Sequence, residues 1–231
     1  MAVLQRSQLA ERIASGGGGT PPTLTTVTGA FTSSTASSLT TPSSTTPSSG
    51  TTAFLVWVLQ SDQVTSVTDN KSNTYTKIWE SAAVPGDPAK VALFACLGGT
   101  GGAGHTFTIN GTNIAYCSLF PSYATGYDTV NPWCTIPLVT NSASAPSMTL
   151  SCPSLPSSAV LMWGNMISST SSPADWNIPS GWSTYASQLD TNYWTGAICM
   201  VSMTNLSAAN YTISGSNWFS VVGGIIGLRG T

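Results

Sequence analysis

The sequence predicts an all-β protein: a two-sheet antiparallel sandwich of about ten to twelve strands, preceded by a short arm. Three observations predict it. Strand-length runs recur along residues 53–231, separated by Gly, Pro, Asn and Ser at spacings near the 8–12 residues usual in sandwiches and barrels. Only 6% of residues are charged, against about 25% in an ordinary soluble domain, so Glu, Lys and Arg are too scarce for a helical bundle. No amphipathic helical period occurs after residue 15.

The elements follow in chain order. Residues 2–14 suit a short helix or an extended arm, with Leu9 and Ile13 four apart and Glu11 and Arg12 facing elsewhere. A helix of about thirteen residues is marginal in water alone, so Val3, Leu4, Leu9 and Ile13 are expected to bind a partner. Four glycines, 16–19, make a hinge. The expected division is therefore an arm at 1–19 and a sandwich domain at 20–231. Residues 20–52 are rich in Thr, Ser and Pro and uncharged, which by composition reads as a linker or stalk. Leu24, Val27 and Leu39 instead give weak strand patterns there. Beyond them, AFLVWVLQ is a buried-strand run and TYTKIWE alternates. KVALFACL, HTFTI, NIAYCSLF, WCTIPLV, SMTLSC, AVLMWGNMI, WSTYASQL, WTGAICMVSM, NYTIS and FSVVGGIIGL complete the set, with Asp190-Thr191-Asn192 as a hairpin turn.

Charge and cysteine usage narrow the function classes. The net charge is −2, and six basic residues cannot line a phosphate backbone, so no nucleic-acid partner is expected. No run approaches the roughly 18 apolar residues of a membrane span, and the first fifteen residues lack the apolar stretch of a secretory leader. Hydrophobics at 41% and a mean hydropathy of +0.15 argue against disorder. The surface must then be neutral, built from Ser and Thr, and such a surface is poorly protected against association. Five widely spaced cysteines (Cys96, Cys117, Cys134, Cys152 and Cys199) are expected as free thiols from a reducing compartment, with Cys152 the most exposed. If a bridge exists, Cys134–Cys152 is the pair to check first.

No motif carries chemistry. Gly99, Gly101 and Gly104 spell GxGxxG, but a strand-like segment follows where a dinucleotide site needs a helix, so a loop between strands is expected. His105 is the one imidazole and no GxSxG elbow exists, so it is expected to be structural and its replacement functionally silent. The eight carboxylates sit mostly in turns. Asp62, Asp69 and Asn73 could meet at a calcium ion, but their spacing matches no loop motif. No catalytic, cofactor or metal residue is assigned. Of the eight tryptophans, Trp57 and Trp163 lie in apolar runs and suit the core, while Trp176 and Trp182 flank a turn and are candidates for an exposed aromatic surface.

VTDNKSNTYTKI, residues 67–78, resembles a turn-and-strand signature of single-domain β-sandwich proteins of tailed bacteriophages and related bacterial surface modules. Ser72 stands where that pattern usually has glycine. PSGW at 179–182 and the closing SGS…VVGGIIGLR resemble the same proteins in order. The resemblance implies a jelly-roll-like fold, with residues 20–52 as its first strands, and a structural role. The expected function is a non-enzymatic virion protein, a capsid decoration, cement or minor capsid component made in the host cytoplasm. It would bind the major capsid protein or other virion proteins through its arm and neutral β surface, and form a homo-oligomer, a trimer being one candidate. The alternative is a tail or receptor-binding component whose sandwich binds glycan.

Overall fold

The computed structural model describes residues 19–59, 61–83, 90–134, 138–141, 147–152, 154–155, 158–169, 177, 180, 182–189, 194–201, 209–214 and 218–231. Val3, Leu4, Leu9, Ile13, Trp176 and the turn expected at 190–192 lie outside them. The described chain is all-β, and every pairing between its strands is antiparallel.

The Thr/Ser-rich region is not a linker. It forms four short strands, β1 (Thr23–Thr26), β2 (Ala30–Thr32), β3 (Ala36–Thr40) and β4 (Ser44–Thr46). Then come β5 (Thr52–Leu59), a 3-10 turn at Ser61–Gln63, β6 (Val64–Asp69), β7 (Thr76–Glu80), β8 (Val91–Gly99), β9 (Gly102–His105), β10 (Phe107–Ile114) and β11 (Cys117–Thr125). The second half holds β12 (Trp133–Cys134), β13 (Leu138–Asn141), β14 (Ser147–Cys152), β15 (Ala159–Ser169), β16 (Ser183–Leu189), β17 (Trp194–Val201), β18 (Ala209–Ser214) and β19 (Trp218–Arg229).

The described strands make five sheets where the sequence suggested two. One large sheet runs β1-β11-β5-β8-β7, with β2 also on β11; the other runs β12-β19-β15-β17-β16, with β13 also on β19. Two smaller sheets, β3-β10-β6 and β14-β18, cover them, and β4-β9 is a separate ribbon. Three cores join the layers. In the middle, Leu55, Trp57 and Leu93 of the first large sheet meet Val160, Met162 and Ile226 of the second. On the far side of the first sheet, Phe54, Val56 and Phe94 meet Phe107 and Ile109 of its cover. On the far side of the second, Leu161, Trp163 and Ile225 meet Met148, Leu150 and Tyr211.

This stacking explains why β5 reads as an unbroken apolar run. Successive side chains of a strand point to opposite faces. In β5, residues 53, 55, 57 and 59 enter the middle core, and 54, 56 and 58 enter the outer one. Both faces are buried, so no polar alternation is left.

The two halves repeat one topology. β1 and β2 edge β11 as β12 and β13 edge β19; β11-β5-β8-β7 and β19-β15-β17-β16 then run in equivalent spatial order. The covering strand β10 lies between β3 and β6. Its counterpart β18 pairs β14, and an isolated bridge, Asn177 to Ser214, marks its other flank. The domain expected at 20–231 is thus a tandem of two equivalent β units packed through their large sheets.

Glycine shapes that junction. Gly164 of β15 and Gly224 of β19 are paired across the sheet. A Cβ at Gly224 would stand 2.7 Å from the Trp79 ring, and one at Gly164 would overlap the Trp57 ring. The two indoles meet edge to face at 6.0 Å, so a paired-glycine hollow in the second sheet receives the aromatic pair of the first.

Four described cysteines, Cys96, Cys117, Cys134 and Cys152, are free and buried. Cys152 is not the exposed one: it is 4% accessible, because β14 turns it into the core between the second large sheet and its cover. The Cys199 side chain lies outside the described residues. Burial, with Asp62 adding to it, pushes the Cys117 thiol up to about 12, and its S–H donates to the Leu59 carbonyl at 2.9 Å. Native protein is therefore expected to resist a thiol reagent at these four positions, and unreduced protein in denaturant to titrate five thiols. A count of three or one would refute the unbridged state.

Candidate functional site

The densest polar cluster sits in the first half, where the β4-β9 ribbon meets the turn after β6. These are elements without a counterpart among the described residues of the second half. Its centre is Asp69, the last residue of β6, whose side chain is excluded from solvent. One carboxylate oxygen, Oδ1, accepts the backbone N–H groups of Lys71 at 2.9 Å and Asn73 at 3.0 Å. The other, Oδ2, accepts the Asn73 amide at 2.6 Å, the Tyr75 hydroxyl at 2.8 Å and His105 Nε2 at 2.9 Å. Burial alone would raise the carboxyl pKa, yet it lies below its ordinary 3.8 because the donors from Asn73, His105 and Tyr75 outweigh that cost. Burial and the Asp69 charge push the Tyr75 hydroxyl well above its ordinary range.

His105, also excluded from solvent, closes a chain of bonds. A carboxylate only accepts, so Nε2 carries the proton toward Asp69. With a neutral ring, Nδ1 then accepts the Thr46 hydroxyl at 2.7 Å. Thr46 Oγ1 in turn accepts the Gly102 N–H at 3.3 Å. The imidazole stacks on Phe107, with centroids 4.3 Å apart, and Phe54 meets it edge-on at 4.9 Å.

Hydroxyl, imidazole and carboxylate stand in the order of a hydrolase triad, a grouping that sequence spacing does not show. Thr46 is 5% accessible, and the Gly101 backbone presses so closely that a Cβ there would overlap the Thr46 hydroxyl. A reacting carbonyl needs a position within about 3 Å of the hydroxyl and of oxyanion donors. Phe54 and Phe107 pack against the imidazole, and the glycine strand lies against the hydroxyl.

The arrangement can, however, hold a turn. Asn70 donates to the Gly104 carbonyl at 2.7 Å and accepts from Thr106 N at 3.0 Å. Asn73 donates to the Thr100 carbonyl at 2.9 Å and accepts from Thr100 N at 2.9 Å, and Lys71 reaches the Ala103 carbonyl. The DNKSN segment thus staples itself to residues 100–106. The glycine-rich segment is not the loop expected: part of it is β9, paired with β4. Its glycines are needed for close approach at Gly101, against Thr46 and Phe54, and for left-handed φ values of 119° and 69° at Gly102 and Gly104.

Ser72 has φ 62°, the left-handed region that glycine tolerates best. The serine holds this conformation under strain. Ser72 is exposed, so Ser72→Gly is expected to stabilise the protein by about 1 kcal/mol. Urea unfolding reads it, and an unchanged or lower midpoint would contradict the strain.

The calcium grouping does not assemble. Both Asp69 oxygens are engaged by N–H and O–H donors, and among the described residues no three His, Cys, Asp or Glu side chains could share a metal ion. Trp182 is not an exposed platform. It is 8% accessible, edge to face with Trp163 of β15 at 5.3 Å and with Tyr211 of β18 at 5.2 Å, which hold it in the core. An open depression of about 360 Å³ lies elsewhere, at the junction of the halves, lined by Asp128, Val130, Asn131 and Arg229.

The sequence showed His105 and Asp69 separately, 36 residues apart, and no spacing rule joins them. The signal that could have done so is the crowding of Asp69, Asn73 and Tyr75 into one short signature opposite the sole histidine. Comparison with known protein families, curated proteins and solved structures returns no match for the chain.

Proposed function

We propose that the chain is a non-enzymatic structural protein of a virion, a capsid decoration, cement or minor capsid component, with each half a jelly-roll-like sandwich and residues 1–19 an anchoring arm. One observation carries the reading: both covering sheets turn uncharged hydroxyl and amide ladders outward. On β3-β10-β6, Thr40 bonds Thr108 at 2.8 Å, and Asn110 bonds Ser66 and Thr68. At the equivalent place on β14-β18, Thr149 bonds Thr212 at 2.7 Å and Ser151 bonds Asn210 at 2.7 Å. Two neutral, internally bonded faces present no like-charge conflict to neighbouring subunits. A lone histidine bonded into the support of a turn fits the same role.

The arm reading is supported by one contact at the start of the described chain: Thr20 N donates to the Thr231 carbonyl at 2.8 Å, beside the C-terminus. The glycan alternative loses Trp182 to the core.

The test is incorporation into particles. Full-length protein is expected on virions by electron microscopy, and a form lacking residues 1–15 is expected to fold but fail to incorporate. Full occupancy by the truncated form would sink the arm, and absence of the intact protein from particles would sink the virion role.

A further inference from the structure

We propose that the depression at the junction of the halves binds a monocarboxylate, with the Arg229 guanidinium as its anchor. The depression, about 360 Å³, is lined by Asp128, Val130, Asn131 and Arg229. These residues lie in two stretches, 126–134 and 218–231, that the structure describes without a break in the chain. Backbone bonds fix their arrangement. Arg229 N donates to the Pro132 carbonyl at 2.7 Å, and Asp128 N donates to the Arg229 carbonyl at 2.8 Å, so the loop is clamped across the end of β19. Asp128 Oδ1 accepts the N–H groups of Val130 at 2.8 Å and Asn131 at 3.0 Å, which sets the turn of that loop. Arg229 is the member left unsatisfied. It is half-buried, and its Nε is shut off from solvent with no hydrogen-bond partner. The ion pairs among the described residues join Lys77 and Lys90 to Glu80 and His105 to Asp69, and none includes Arg229. Its neighbour is the Cys134 thiol. Burial pushes that thiol up, although Arg229 pulls the other way, so it stays protonated and supplies no counter-charge. Charges taken out of water are ordinarily paired, and a buried donor left unmade is costly.

Three features choose the ligand. The guanidinium is a planar fork of N–H donors that matches a carboxylate with two parallel bonds. Phosphate suits the same fork, but Asp128 lines the same depression, and its charge opposes a doubly charged ligand more than a singly charged one. Val130, 78% exposed, gives the depression an apolar wall against which a short carbon skeleton can lie. Together they select a carboxylate carried on a small apolar group, either a free acid or the C-terminus of another chain. The inference stands independently of the virion reading.

Nuclear magnetic resonance titration of the full-length protein tests it, read at the Arg229 Nε–H and at the backbone amides of Val130 and Asn131. Butyrate stands for a free acid and N-acetyl-alanyl-valine for a chain end; the C-terminal amide of the same peptide and inorganic phosphate are the controls. A carboxylate is expected to shift these signals saturably, the tighter of the two probes identifying the source. Phosphate is expected to bind at least about tenfold more weakly. Arg229→Gln should abolish the response. Because that variant could disturb the end of β19, Val130→Glu gives a second reading: the replaced side chain is exposed, and the new carboxylate competes for the guanidinium. It should weaken binding about tenfold or more. Absence of a saturable shift with both carboxylates would overturn the proposal. So would equal binding of the peptide amide, phosphate binding as tight as the carboxylate, or undiminished binding in either variant.

Discussion

Trp57→Ala is expected to cost about 3–5 kcal/mol of folding free energy, a large share of the 5–15 kcal/mol typical of a folded domain. The side chain is entirely buried and stands in the middle core, where the two repeated halves meet. Its ring rests over Gly164 and meets Trp79, which rests over Gly224. Removing it leaves a void that neither sheet can close, because the flanking strands are held by registers on both sides. The same contact can be attacked from the other sheet. Gly164→Ala forces a methyl into a rigid ring and should cost about 1–3 kcal/mol. The pair distinguishes contact from coincidence. With both substitutions, the methyl added at position 164 enters the space that the indole vacates, so the combined loss should fall short of the sum by about 1 kcal/mol. Urea titrations of the four proteins measure it. Strict additivity would mean that the indole does not sit on the glycine.

That contact also marks where sequence reasoning stopped. The strands themselves were legible. AFLVWVLQ, KVALFACL, SMTLSC and FSVVGGIIGL each fall on a strand, since apolar runs bounded by turn residues leave few other conformations. The layer count was not. An unbroken apolar strand says that both faces are buried without saying by what. β5 and β15 in fact lie in the two middle layers of a stack, so runs read as one sandwich core were two inner sheets. The repeat escaped because equivalent strands share topology but little sequence: KVALFACL and WTGAICMVSM occupy the same place with different residues. Short strands in the Thr/Ser region were faint because their apolar content is low; β3, ASSLT, has one large apolar residue. At the polar cluster, the residue types were visible and the pairing was not, since β6, β4 and β9 bring Asp69, Thr46 and His105 together from distant parts of the chain. Trp182 was misread for a related reason. A turn predicts where the chain reverses, and the side chain that follows it is placed by what lies beneath, here Trp163 and Tyr211.

His105→Ala is the second large loss, expected at about 3 kcal/mol. Sequence reasoning made this substitution functionally silent. The structure gives it a cost in stability. Four groups lose a partner or a packing neighbour: Asp69 loses a donor, the Thr46 hydroxyl loses its acceptor, and Phe54 and Phe107 lose the ring between them. A buried carboxylate stripped of one partner is the costly part. Acid titration separates this from simple loss of packing. Asp69 in the folded protein ionises below its ordinary 3.8. A carboxyl with a depressed folded pKa stabilises the fold above the unfolded value, and that contribution fades as pH falls below 3.8 through the folded one. Without the His105 bond, Asp69 keeps its burial cost and loses part of the compensation, so its folded pKa rises. The variant should therefore begin to unfold at a higher pH than the parent protein, and the stability gap between the two should narrow in strong acid. Circular dichroism followed from neutral pH to pH about 2 would show both effects. Parallel acid transitions with a constant gap would mean that the imidazole acts through packing alone and that Asp69 draws nothing from it.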